Sequence, residues 1–105
     1  MLTPIERDRL DQHLYDIKLA RVTAAFDALS EPNRCLIFRA LLPGRSIGVG
    51  ELALIVGISD PLASQHLKIL KEAGLVLRTK EGKRVYYRVN HANPMVGALE
   101  KAVES

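Results

Sequence analysis

Apolar residues recur every three or four positions along most of this chain, which is the spacing of helices that bury one face. Near the start, Thr3, Pro4 and Glu6 form a helix-start signal, with a capping residue, a first-turn proline and an acidic third position. The positions that follow at helical spacing are Leu10, Leu14, Ile17, Arg21, Ala24 and Ala28. They predict a long amphipathic helix over residues 4–29, unbroken or broken once.

A second helix is predicted after Ser30, which has the side chain of an N-cap and is followed by Glu31 and Pro32. Its apolar side would consist of Cys35, Leu36, Ile37, Ala40 and Leu41, and the pair Pro43-Gly44 would end it. Residues 43–48 are then a connector with one or two extended residues.

A short third helix is predicted over residues 49–56, where it would bury Leu52, Ile55 and Val56. The glycine that follows, Gly57, can adopt the left-handed conformation that ends a helix and begins a sharp turn.

A fourth helix is predicted to start at Ser59, whose hydroxyl is a preferred cap, and to stop at Gly74. At about 100° per residue, its side chains separate into two arcs. One arc holds Pro61, Ser64, Gln65, Lys68 and Glu72, and the other holds Ala63, His66, Leu67, Leu70 and Ala73. One side therefore packs against the protein, and the other is free to contact a partner.

Beyond Gly74 the period changes from that of a helix to that of a half-buried strand. The alternating apolar positions are Leu75, Leu77, Val85, Tyr87 and Val89, with a turn at Glu81-Gly82-Lys83. A last amphipathic helix would contain Met95, Val96, Leu99, Ala102 and Val103. The element order ααα-α-ββ-α predicts a mainly α fold with a small β-hairpin (α+β), a winged helix-turn-helix, as one domain over residues 1–105.

The net charge of +3 is modest, but its distribution is uneven. Residues 78–88 contain five basic residues and one acidic residue, a local charge of +4, so the remaining residues sum to −1. Positive charge concentrated in one hairpin is typical of a segment that neutralises phosphates.

The outer arc of the fourth helix carries the side-chain chemistry needed to read DNA bases. Gln65 can pair with adenine, Lys68 can donate to guanine or phosphate, and Ser64 can do either. An isolated polar arc is more often a solvated surface, but the basic hairpin directly downstream favours DNA binding. The predicted DNA-binding residues are Ser59, Pro61, Leu62, Ser64, Gln65, Lys68, Lys71, Arg78, Lys80, Lys83 and Arg84.

At this point the sequence resembles the ArsR/SmtB family of small bacterial winged-helix repressors. The matching segments are residues 29–34, 51–53, 64–76 and 82–88, together with Ile37 and Ser59. The resemblance implies a homodimer that binds an inverted-repeat DNA operator and represses transcription until an inducer releases it. It also implies dimerisation helices at 1–29 and 93–105, a helix-turn-helix at 49–73 and a wing at 75–89.

Amphipathic helices at both ends of so short a chain independently favour a dimer, because one small core cannot easily cover both. The predicted dimerisation residues are Leu10, Leu14, Ile17, Met95, Leu99 and Val103. The alternative is that both helices simply cover the domain.

The effector is not evident from the sequence. The positions that carry metal-binding thiolates in the family correspond by resemblance to Gly48, Gly50 and Ala53, which have no ligating side chains. The last helix offers only Glu100 and Glu104, with His91 ahead of it, and these lack the spacing of a tetrahedral site. We therefore expect no metal, no cofactor and a non-metal inducer.

Four further residues need separate interpretation. Cys35 is either an inert, partly packed thiol or a redox sensor without a second cysteine in its own chain. His66 lies on the inward arc and is expected to be packed and hydrogen-bonded. Asp60 either stabilises the helix N-terminus or accepts from cytosine, and we favour the first. Leu62 either contacts a thymine methyl group or flanks the core.

Composition narrows the location and the class of protein. No apolar stretch approaches the roughly 20 residues that span a bilayer, charged residues occupy the N-terminus, and one cysteine fits a reducing compartment. A cytoplasmic protein without membrane contact is expected. The chain lacks a nucleophile with a nearby base and a phosphate-binding loop, so it is not expected to be an enzyme. The alternative to DNA binding is a winged-helix module that binds another protein.

Overall fold

The computed structural model describes residues 1–14 and 18–104, which form six helices and a three-stranded sheet. The helices are α1 (Pro4–Leu14), α2 (Lys18–Ser30), α3 (Pro32–Leu41), α4 (Val49–Val56), α5 (Asp60–Glu72) and α6 (Met95–Glu104). The strands are β1 (Ile47–Gly48), β2 (Val76–Glu81) and β3 (Arg84–Val89). This is the predicted winged helix-turn-helix, with a two-residue strand in the predicted connector.

The sheet is antiparallel, with β3 between β1 and β2. Strands β2 and β3 form the predicted hairpin, hereafter the wing, and Glu81 pairs with Arg84 across a two-residue turn. Gly82 in that turn has a φ of +62°, which glycine adopts without steric cost. Strand β1 anchors the wing to the body, because Ile47 pairs with Tyr87 and Gly48 with Tyr86.

The core lies where α2, α3, α4, α5, α6 and the base of the sheet meet. Its largest fully buried side chains are Phe38, Ile37, Leu41, Leu52, Leu67, Leu70, Leu75, Val76, Val89 and Val96. None of the helices within residues 1–14 and 18–104 is long and apolar enough to cross a membrane.

The predicted capping of α1 and the end of α4 are confirmed. Glu6 accepts from the backbone N–H of Thr3 at 3.0 Å, and Thr3 Oγ1 accepts from the N–H of Glu6 at 3.2 Å. Helix α4 has the predicted bounds and ends at Gly57 with a φ of +80°, so the chain turns sharply into α5.

Three predictions about the helices are wrong. The cap of α3 is Glu31, whose carboxylate accepts from Arg34 N, while the Ser30 hydroxyl donates to the Asp27 carbonyl instead. On α3, Leu36 is exposed and Phe38 is buried in its place. On α4, Ile55 is 62% exposed, because Leu52 and the smaller Ala53 form the buried side.

Candidate nucleic-acid interface

Helix α5 is held at its N-terminus by a side-chain cap. Ser59 Oγ accepts from the backbone N–H of Leu62 at 3.3 Å, which satisfies one of the donors that a helix start leaves open. Asp60 and Pro61 occupy the first turn, where a negative charge and a missing N–H are both favourable. The predicted start of this helix is therefore confirmed.

The two predicted arcs of α5 are found on opposite sides. Ala63, His66, Leu67 and Leu70 are buried. The outer arc is exposed, and so is every predicted contact residue of the helix and its cap: Ser59, Pro61, Leu62, Ser64, Gln65, Lys68 and Lys71. The helix therefore uses its apolar side to pack and leaves a polar side outward.

A polar cluster fixes α5 against the N-terminal half of the domain. Arg34 donates through Nη1 to Nδ1 of His66 at 3.3 Å, and through Nε to the carbonyl of Ala28 at 2.7 Å. A guanidinium has no acceptor, so Nδ1 accepts and the proton of a neutral ring lies on Nε2. His66 is therefore packed and hydrogen-bonded, as expected.

Glu31 joins this cluster by accepting from Arg34 N at 2.9 Å, and its Oε2 lies 3.8 Å from His66 Nδ1 without a hydrogen bond to it. Partial burial acts to raise the pKa of Glu31, but donation from the N–H groups of Arg34 and Asn33, with nearby positive charge, outweighs it. The pKa of Glu31 consequently lies below its ordinary value. The carboxylate is charged near neutral pH and can balance Arg34.

The wing presents its cations outward. Arg78, Lys80, Lys83 and Arg84 are all exposed, while Tyr87 and Val89 at the base of β3 are buried. Because the base is packed and β1 pairs with β3, the charged tip projects from the body rather than folding onto it.

A groove of about 620 Å³ separates the wing from α5. Three of the predicted cations, Arg78, Lys83 and Arg84, line it together with Ser64. Its remaining lining is Gly48, Val49, Gly50, Glu51, Asp60, Val85, Tyr86 and Tyr87. Gln65, Lys68, Lys71 and Lys80 are exposed but do not line the groove.

The sequence interpretation missed Glu51 and Tyr86 as parts of this groove. They meet there because the two-residue strand β1 pairs Gly48 with Tyr86 and so brings the start of α4 beside the wing. The glycines around Val49 do not mark this contact, since a Cβ at Gly48 would meet Val85 and Tyr86 only at ordinary van der Waals distances of 3.7 and 3.8 Å.

The predicted dimerisation residues have different environments. Leu10 and Leu14 are exposed on α1, and Ile17 lies outside the described residues. Leu99 is only 4% exposed, because it packs in the core of its own protomer, and Met95 and Val103 pack partly against that core. The expectation that Leu99 offers a free apolar surface therefore needs correction. Leu19 and Phe26 of α2 are exposed apolar residues that were not predicted.

The candidate sensor and metal positions add little chemistry to the site. Cys35 is partly buried on α3. In the part of the chain that the structure describes, no three His, Cys, Asp or Glu side chains are grouped to hold a metal ion.

Comparison with known proteins gives one consistent result. Residues 31–77 match the model of the family described as bacterial regulatory protein, arsR family. The chain is 38% identical over 78 residues to the HTH-type transcriptional regulator CmtR of Mycobacterium tuberculosis, covering 72% of this chain and 65% of that protein. It is 32% identical over 93 residues to the cadmium resistance transcriptional regulatory protein CadC of Listeria innocua, covering 86% and 78%.

Among solved structures, the chain resembles the homodimeric winged helix-turn-helix DNA-binding domain Mb0332 of Mycobacterium bovis. The TM-score is 0.73 at 31% identity, with 86% of this chain and 83% of that chain covered. The fold and the relatives are those of transcriptional regulators rather than of enzymes. This chain spans about 65% of the length of the CmtR relatives.

Proposed function

Because the chain belongs to the arsR family of bacterial regulatory proteins, we propose that it is a homodimeric, sequence-specific DNA-binding repressor that an unknown, non-metal inducer releases. The observation that supports this most is the outward polar side of α5 next to a cationic groove and wing. As a regulator of DNA in a bacterial cell, it would act in the cytoplasm.

The groove and helix fit complementary parts of a duplex. A major groove about 12 Å wide admits one helix, so the outer side of α5 would read base edges through Gln65, Lys68 and Ser64. The wing would follow the adjacent backbone, where Lys83 and Arg84 would neutralise phosphates. The remaining proposed contacts are Ser59, Pro61, Leu62, Lys71, Arg78 and Lys80.

Asp60 and Glu51 add negative charge at one wall of the groove. Phosphates would avoid that wall, so we propose that the backbone runs along the wing side, against Arg78, Lys83 and Arg84. Asp60 keeps its proposed role at the helix N-terminus, where a carboxylate is favourable.

The homodimer is supported by the surface of the N-terminal helices. Leu10 and Leu14 of α1 are exposed, and a helix of 11 residues is marginal in water without a packing partner. Phe26 on α2 is a further apolar side chain, 60% exposed. We propose that residues 1–29 bury this surface against a second copy, with a contribution from residues 93–105. The whole of residues 1–105 would then form one domain of each protomer.

Twofold symmetry would place two α5 helices about 34 Å apart, one turn of DNA. The proposed operator is accordingly an inverted repeat. Bound over a promoter, such a dimer would block transcription until released. The inducer is proposed to be non-metal because Gly48, Gly50 and Ala53 have no ligating side chains.

The direct test is a gel shift with duplexes that the protein selects from a random-sequence pool. The Gln65→Ala/Lys68→Ala variant should lose retention while its circular dichroism spectrum stays that of the native chain. Arg39→Ala, which removes an exposed cation of α3, is the control and should bind normally. Retention by the double variant equal to that of the native chain would remove α5 from the interface.

The protein-binding alternative gives a different salt response. A module that used the same surface for another protein would associate with DNA weakly and with little dependence on salt. Phosphate contacts by the wing instead require affinity to fall steeply as salt rises.

A further inference from the structure

One backbone carbonyl at the end of α5 accepts hydrogen bonds from two asparagine side chains. Asn90 Nδ2 and Asn93 Nδ2 each donate to the Gly74 oxygen at 3.0 Å, and all three residues are partly buried. A carbonyl oxygen has two lone pairs, so this arrangement uses its full acceptor capacity.

Both amides are also fixed at their other end. Asn90 Oδ1 accepts from the N–H of Ala92 at 3.2 Å, and Asn93 Oδ1 accepts from the N–H of Met95 at 3.0 Å. Because one partner of each amide is a pure acceptor and the other a pure donor, the orientation of both side chains is determined by their neighbours. Each asparagine is therefore a bridge rather than a surface group.

Three elements meet at this carbonyl. Gly74 follows α5 with a φ of +79°, Asn90 directly follows β3, and Asn93 precedes α6 and bonds its first residue. The backbone adds a further link, since Asn90 N donates to the Leu75 carbonyl at 2.9 Å. Helix α6 is in turn anchored in the core by Val96. The joint therefore ties the C-terminal end of α5 to β3 and α6, in addition to the core packing of Leu67 and Leu70 and the bond from Arg34 to His66.

We propose that Asn90 and Asn93 are positioning residues that set the angle of α5 relative to the wing and α6. This inference rests on the proposed function, because the angle matters only if two α5 helices must match two half-sites. Helix α5 has 13 residues and is about 20 Å long. A pivot of about 10° at Gly74 would move its far end by about 3.5 Å, close to the 3.4 Å rise of one base pair.

The test separates positioning from simple loss of structure. Asn93→Ser keeps an oxygen to accept from Met95 N but is too short to reach Gly74, and Asn93→Asp replaces the donor with an acceptor. Asn90→Asp does the same at the other bridge. Leu54→Glu introduces the same charge at an 83% exposed position of α4 and serves as the control.

The probe is an inverted-repeat duplex selected by the native chain from random sequence, then resynthesised with one base pair added or removed between its halves. The native chain and Leu54→Glu should lose about tenfold or more in affinity on the altered spacings, the scale of one mismatched base pair. The three joint variants should bind all spacings within about threefold of one another, with an unchanged salt dependence.

Variants that keep the native ratio between spacings, or that weaken every spacing by one factor, would overturn the inference. Failure of the native chain to select any duplex would instead refute the proposed function. A DNA-free readout covers variants of low stability: a spin label at Ser64→Cys, in a Cys35→Ser background, reports the distance between the two α5 helices of a dimer. The distance distribution should broaden in the joint variants, and a native-like distribution would also overturn the inference.

Discussion

Replacing the two tip cations of the wing, Lys83 and Arg84, with alanine should flatten the salt dependence of DNA binding. Both side chains are exposed, line the groove beside α5 and sit on a hairpin whose base is packed. Their removal should therefore change the interface without changing the fold. The expected fall in affinity is electrostatic, so it should be largest at low salt.

The size of the effect follows from counting charges. A dimer has two wings, so the double variant removes four cations. Each neutralised phosphate contributes about 0.9 to the slope of log K against log salt concentration, so the slope should decrease by about 3.6. Each single variant removes two cations per dimer and should lower the slope by about 1.8.

Fluorescence anisotropy on a labelled duplex between about 50 and 200 mM salt measures this slope. Arg39→Ala removes the same number of cations as one single variant, from the exposed side of α3, and should leave the slope unchanged. A wing variant whose affinity falls by one factor at every salt concentration, with its slope intact, would refute phosphate contact by the wing.

Three further predictions concern how α5 is held. Ser59→Ala removes the bond to Leu62 N and should lower the free energy of unfolding by about 1 kcal/mol in urea denaturation. An unchanged urea midpoint would show that this cap does not stabilise the fold. Leu67→Ala opens a cavity at a fully buried position and should cost about 2–5 kcal/mol; a loss below 1 kcal/mol would mean that the site is not closely packed. Because the folded-state pKa of Glu31 is depressed, its contribution is complete above the ordinary pKa of 4.5 and is lost as the pH falls through the lower folded value. Urea midpoints of Glu31→Gln should therefore fall less between pH 5 and pH 3 than those of the native chain, and parallel curves would contradict the depressed pKa.

The local elements were predictable because their signals are local. The bounds of α4, the left-handed Gly57, the Ser59 cap and the hairpin turn all depend on a few adjacent residues. The two arcs of α5 were equally predictable, since its apolar and polar positions separate cleanly at helical spacing.

The predictions that failed concern which apolar side chains are buried, and this depends on how the helices pack against one another. Spacing alone allowed Ile55 to be buried, but α4 turns Leu52 and Ala53 inward and leaves Leu54 83% exposed beside Ile55. Leu99 was predicted to contact a partner subunit, because an amphipathic pattern does not indicate whether the apolar side packs on the same protomer or on another. In the structure, Leu99 is buried in the core of its own protomer.

The groove was only half predictable. Its cations and Ser64 were expected from charge and spacing, whereas Glu51 and Tyr86 enter through the pairing of β1 with β3. Extended residues were expected in this connector, but two residues carry no pattern that indicates pairing with β3. Likewise, Asn90 and Asn93 resemble ordinary loop residues until the structure shows both amides on one carbonyl.

The central claim is that the outer side of α5 and the wing contact one duplex together, and amide chemical-shift mapping tests it most directly. On titration of the isotope-labelled dimer with its selected duplex, the largest changes should fall at Ser64, Gln65 and Lys68 and at the wing tip, Lys83 and Arg84. Changes concentrated instead on the exposed apolar end of α4, with α5 and the wing undisturbed, would contradict the account.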